Sequence, residues 1–196
     1  MLLAVSMAVS ALGWIYFIYF FSVGYGFSVA ALALVMALMF SDVITLPAAL
    51  VCAVMFIFGC RLGIYLLTRE KRSAAYRKIL YGPDASARKP LWVVIAVWVF
   101  CALLYVGQVS PLAFYLANSK AGLPVNDVTL WAGAVLMAAG VILEAVADAQ
   151  KSVAKKVRPG RFVDTGLYRL VRCPNYLGEL VIWTGSFVIC FGASCS

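Results

Sequence analysis

Six stretches of this chain, near residues 2–22, 24–41, 43–67, 91–117, 129–147 and 178–194, run almost without a charged side chain. A helix needs roughly 20 apolar residues to cross the hydrocarbon core of a bilayer. Backbone groups in lipid find no water, so apolar stretches of this length must pair their N–H and C=O groups internally as helices. The expected fold class is therefore all-α: a polytopic integral membrane helical bundle of about six transmembrane helices, with five to seven as the range. Composition agrees, at 65% hydrophobic and 12% charged residues over 196 positions and a mean hydropathy of +0.99, well outside the soluble range. The connections leave no room for a separate soluble domain, so residues 1–196 read as a single transmembrane domain. No basic residue precedes the first run, which reads as a retained first span or uncleaved anchor. The boundary at "FSVGYGFSVA" rests on Gly24 and Gly26 alone, and these two mark either a loose turn or a helix-packing spot.

The charges give the chain a direction. Arg69, Lys71, Arg72, Arg77, Lys78, Arg88 and Lys89 follow the third run, and Lys151, Lys155, Lys156, Arg158, Arg161, Arg169 and Arg172 follow the fifth; together they are 14 of the 16 basic residues. Two intervening spans return these loops, residues 68–90 and 149–172, to one side, and the positive-inside rule makes that side cytoplasmic. The net charge of +8 is thereby a topology signal matched to an anionic inner leaflet, and nucleic acid is not an expected partner. The partners expected are the lipid bilayer and a hydrophobic small-molecule substrate.

Histidine is absent and the six cysteines form no Cys-x-x-C pair. A zinc or haem site is not expected, and a Ser-His-Asp hydrolase is excluded. No Gly-x-Gly-x-x-Gly or Walker loop is present, which excludes the soluble nucleotide folds. Acid–base chemistry must then come from Tyr, Glu, Asp, Lys or Cys, or from a cofactor.

Within the fifth run, Glu144, Asp148, Lys151 and Lys155 recur at steps of four, three and four, which places them on one helix face. They form either an ion-pair ladder ending the helix at the interface or the wall of a polar pocket that Glu144 enters from inside the apolar run. After the turn signals Pro159-Gly160 and Asp164-Thr165-Gly166, Pro174 suits the first turn of a last helix. The N-terminus of that helix, with Arg169 and Arg172 beside it, suits a phosphate or diphosphate. Asn175, Glu179 and Trp183 then share one face. Arg61, inside the third run, either snorkels to the basic loop or enters the pocket.

The segment "EAVADAQKSVAKKVRPGRFVDTGLYRLVRCPNYLGELVIWTG", residues 144–185, resembles the core of the steroid 5-alpha-reductase-like membrane family, including its bacterial DUF1295-type branch. The matching elements are Asp148-Ala149-Gln150-Lys151, Gly166-Leu167-Tyr168 and Arg172-Cys173-Pro174-Asn175-Tyr176-Leu177-Gly178-Glu179, and residues 61–80 are similar to a weaker upstream element with a later Tyr-Arg. The resemblance implies a membrane-embedded reductase that binds NADPH from the cytoplasmic side and reduces a conjugated carbon–carbon double bond in a lipid-soluble enone. The cofactor residues it implies are Asp148, Gln150, Lys151, Lys155, Tyr168, Arg169, Arg172, Asn175, Tyr176 and Glu179, with Tyr65 and Glu144 as candidate proton donors. The broader superfamily also holds isoprenylcysteine carboxyl methyltransferases, which use S-adenosylmethionine and are the alternative reading. Three features depart from the pattern. Cys173 stands where the family has histidine, and Phe58 where steroid-reducing members have tyrosine. The family also continues past its Asn-Tyr-x-Gly-Glu helix, so a chain ending at "FGASCS" is expected to be a shortened member, with a non-catalytic membrane protein as the second alternative.

Overall fold

The computed structural model describes residues 1–72 and 89–193, and every described element is helical. In chain order they are α1 (Leu2–Ser10), two 3₁₀ turns (Ala11–Trp14 and Phe17–Phe20), α2 (Val23–Met39), α3 (Leu46–Arg72), α4 (Leu91–Lys120), α5 (Asp127–Val157), a third 3₁₀ turn (Gly166–Arg169) and α6 (Pro174–Ala193). Among the described residues four stretches are long and apolar enough to cross a membrane: Phe17–Met39, Leu46–Glu70, Leu91–Lys120 and Asp127–Val157. The six apolar runs of the sequence thus give four stretches that meet both length and hydropathy for a span, beside the short α1 of 9 residues and α6 of 20 residues.

The first run differs most from expectation. Instead of one helix over 2–22, the chain turns after Trp14, where Tyr16 is extended, and the Phe20 ring comes back to occupy the space a side chain at Gly13 would take. Side-chain bonds to α4 hold α1 short: Ser6 Oγ donates to the Ala102 carbonyl at 3.0 Å, and Trp98 Nε1 donates to the Met7 carbonyl at 3.0 Å. The aromatic stretch that follows closes on itself through edge-to-face pairs, Tyr16 with Tyr19 at 5.1 Å and Phe17 with Phe20 at 5.8 Å. Hydropathy sums do not register such a corner, because every residue in it is apolar or aromatic.

Two close helix pairs build the bundle, and small residues make both possible, as is usual where lipid supplies no hydrophobic drive between helices. Gly24 and Gly26 lie inside α2, and Gly26 is a packing spot: a Cβ there would stand 2.6 Å from the Gly63 nitrogen and 2.8 Å from the Gly59 carbonyl of α3. The antiparallel pair α5–α6 meets the same way: a Cβ at Gly140 would stand 2.7 Å from the Gly178 carbonyl, and one at Gly133 would stand 2.8 Å from the Gly185 carbonyl. Helix α4 continues through Pro111, and the carbonyl that proline leaves without its usual donor, that of Gly107, accepts the Ser110 hydroxyl at 2.8 Å.

This pairing brings the ends of α3 and α5 and the starts of α2, α4 and α6 to one face, the face bearing the basic connections. Arg77, Lys78 and Arg88 of the first basic loop, and the Tyr76-Arg77 pair of the upstream motif, lie outside the described residues. At the opposite face Lys120 pairs with Asp42 at 2.9 Å, and Asn126 caps α5 by accepting the Val128 N–H at 2.9 Å.

Candidate functional site

The acids of α5 find their partner on α3. Arg61 places Nη2 2.5 Å from Glu144 Oε1 and Nη1 3.1 Å from Asp148 Oδ2, and both acids are buried. Of the two courses open to Arg61, the structure shows the inward one. The ladder from Asp148 to the lysines does not form, because Arg61 takes Asp148. Lys155 instead donates to the carbonyls of Pro159 at 3.1 Å and Arg161 at 2.7 Å, holding the turn that leaves α5. Glu144 Oε2 stays buried without a hydrogen-bond partner.

On the facing side, α6 begins at Pro174, and its first turn closes when the Leu177 N–H donates to the Cys173 carbonyl at 3.1 Å. The four-residue step carries Asn175 and Glu179 inward, and Glu179 meets the hydroxyl of Tyr25 and the indole of Trp183. Trp183 Nε1 also donates to Tyr25 Oη at 3.2 Å. Tyr25 stacks on Tyr105 with ring centroids 5.1 Å apart. Sequence reasoning treats Tyr25 only as part of a glycine-flanked stretch; the signal for a site residue was a hydroxyl next to Gly26, whose close contact with α3 fixes this part of α2.

Two cavities open beside these groups and share Lys151, Asn175 and Tyr176. The outer, about 670 Å³, carries four cations, Lys151, Lys155, Arg169 and Arg172, with Asp164 the acid in its wall; Asp164 is itself paired with Arg161 at 2.7 Å. Tyr168 lines it too, with its hydroxyl buried and lacking a partner, and burial pushes that phenol up to about 12, so it stays protonated at neutral pH. The inner cavity, about 250 Å³, takes Tyr65, Arg69, Glu144, Asp148 and Glu179 from its polar side and Ile18, Phe21, Leu62 and Leu66 from its apolar side. Because α5 runs toward the basic face and α6 away from it, Lys151 and Asn175 stand at the rim while Glu144, Glu179 and Tyr25 stand deeper.

All but one of the residues expected at the site from sequence line one of these cavities. The exception is Gln150, whose Oε1 accepts the Leu167 N–H at 2.9 Å, beside Gly166 with its φ of 61°. A side chain at residue 166 would collide with Gln150, so this pair docks the Gly166–Arg169 turn and thereby sets Tyr168 and Arg169 over the outer cavity. Against known proteins, a family model described as protein of unknown function (DUF1295) matches residues 17–196. No curated protein and no solved structure matches the chain.

Proposed function

Since this chain belongs to the DUF1295 family of proteins of unknown function, we propose an activity from its own site: NADPH-dependent reduction of a carbon–carbon double bond conjugated to a carbonyl, in a lipid-soluble substrate. The observation that carries this reading is the pair of adjacent cavities with three lining residues in common, a cationic one at the basic face and a smaller, half-apolar one deeper in the bundle. The resemblance of residues 144–185 to the steroid 5-alpha-reductase-like family supports it.

The donor set suits a polyanion. Four cations against one already paired acid would repel the sulfonium of S-adenosylmethionine but offset the phosphates of NADPH, and the orphaned Tyr168 hydroxyl offers a further bond there. NADPH, when bound, supplies the hydride. Lys151, Arg169 and Arg172 hold phosphates, and Lys155 adds charge while it braces the turn. Asn175 and Glu179, at the shared rim and just below it, orient the ring end. Both candidate proton donors line the inner cavity; Glu144 is fixed by Arg61 through Oε1, and the orienting role is assigned to it. Tyr65, with Arg69 5.9 Å over its ring, keeps a phenolic proton at the inner cavity for the carbonyl oxygen on which charge develops. By the positive-inside rule the basic face is cytoplasmic, where NADPH is available.

Thermal stabilisation of the detergent-purified protein tests this. NADPH is expected to raise the Tm, NADH less, and S-adenosylmethionine not at all, with the effect lost in Lys151→Ala and Asn175→Ala. No shift with NADPH overturns the reductase reading, and a shift with S-adenosylmethionine alone replaces it with the methyltransferase.

A further inference from the structure

The connection between α5 and α6 carries an aromatic ring that phosphate binding does not use. Phe162 is 75% exposed, and it lines the outer cavity together with the four cations. Its backbone is held, because Lys155 donates to the carbonyls of Pro159 and Arg161 just before it. Its ring is backed as well. The Arg161 guanidinium stands 5.8 Å from the ring centroid, within cation–π range, and Asp164 fixes that guanidinium by accepting from Nη2 at 2.7 Å. Val163, Leu170 and Val171 line the same cavity, which therefore has an apolar side that balances no charge. At about 670 Å³ the cavity is in the range that holds whole organic ligands. Three aromatic rings stand in its wall, and they differ in what they offer. Tyr176 also lines the inner cavity, and Tyr168 contributes a buried hydroxyl without a partner. Phe162 has no polar side-chain atom and offers only its face.

We propose that the Phe162 ring, backed by Arg161, is the stacking platform for the adenine base of a nucleotide bound in the outer cavity. Phosphates held by Lys151, Arg169 and Arg172 leave the base of a nucleotide to find its own partner, and a base presents a flat π face to any aromatic ring. A ring whose backbone is already braced adds that contact at little ordering cost. The rim residue Asn175 serves the other end, since it lines both cavities whereas Phe162 lines the outer one and not the inner. That the base is the adenine of NADPH rests on the proposed reductase reading. The stack itself requires only an adenine, which S-adenosylmethionine also carries.

The test is titration calorimetry on the full chain in lipid nanodiscs, with NADPH, with phospho-ADP-ribose, which is NADPH without its nicotinamide, and with S-adenosylmethionine. Phe162→Leu keeps a greasy side chain but has no π face, and it is expected to weaken NADPH and phospho-ADP-ribose alike by about tenfold. Phe162→Tyr is expected to bind both as the wild type does, and the Tm of either ligand-free variant is expected to stay at the wild-type value because the side chain is exposed. Wild-type affinity in Phe162→Leu, with NADPH binding lost in Lys151→Ala, overturns the platform and leaves the reductase reading standing; the ring is then an anchor in the lipid headgroups. A Phe162→Tyr protein as weak as Phe162→Leu also overturns the platform. Binding of S-adenosylmethionine in place of NADPH, weakened in Phe162→Leu, supports the platform and overturns the reductase. A wild-type protein that binds none of the three overturns both.

Discussion

The guanidinium of Arg61 serves two acids on one face of α5, and its removal leaves both buried in an apolar bundle without a counter-charge. Losing one partner of a buried ion pair typically costs about 3–5 kcal/mol. Arg61→Met is therefore expected to lower the Tm sharply, and adding Glu144→Gln and Asp148→Asn to it is expected to recover much of the loss. If Arg61→Met alone matches the wild type in scanning fluorimetry, the triad is not a structural tie. The two halves of this contact differ in how readable they are. Glu144 and Asp148 stand out in sequence because their spacing is a local, helical one. Their partner lies 87 residues before Asp148, and nothing in the periodicity of either run joins them; hydropathy leaves both an outward and an inward course open to Arg61. The same holds for Tyr25, which becomes a site residue only when α2 meets α6.

Among elements, the α5–α6 pair controls the site most directly, because its glycine contacts set where α6 begins. A Cβ at Gly178 would stand 2.8 Å from both the Cβ and the backbone nitrogen of Glu144, too close for either to yield without separating the helices. Overpacking of this kind costs about 1–3 kcal/mol, and here it also displaces Asn175 and Glu179 from the rim. Gly178→Ala is expected to lower both the Tm and the NADPH-induced shift. Gly107→Ala is the control: no atom stands within 4 Å of a Cβ there, and alanine improves helix propensity by up to about 1 kcal/mol, so neither readout should fall. A Gly178→Ala protein with a normal NADPH shift would break the link between this seam and the cavity. The start of α6 at Pro174 is legible in sequence because proline fixes the first helical turn. The turn after Trp14 is not, since hydropathy records how apolar a stretch is and not whether its aromatic rings pack on one another.

For the molecule as a whole, the outward surface of α2, α3, α4 and α6 is apolar, with Leu38, Ile57, Phe100 and Phe187 among its exposed side chains, as expected of a surface that meets lipid. Most of the basic residues lie at one end. Cys173 is exposed at that end and lines the outer cavity, which makes it a reporter of both orientation and occupancy. In a Cys195→Ser background, a membrane-impermeant maleimide is expected to label Cys173 in inside-out vesicles and not in right-side-out ones, and NADPH is expected to slow the reaction. Labelling from the other side reverses the assigned topology, and labelling indifferent to NADPH separates the cationic cavity from the cofactor.

The residues common to both cavities, Lys151, Asn175 and Tyr176, stand between the outer, cationic space and the deeper one. In the proposed reductase, a cofactor held at these residues would cover the deeper cavity from the water side, and a greasy reactant would then arrive and depart sideways through the fatty phase. Its saturation would then follow mole fraction in the bilayer, and diluting the membrane with inert lipid would slow turnover even at a fixed total amount of reactant.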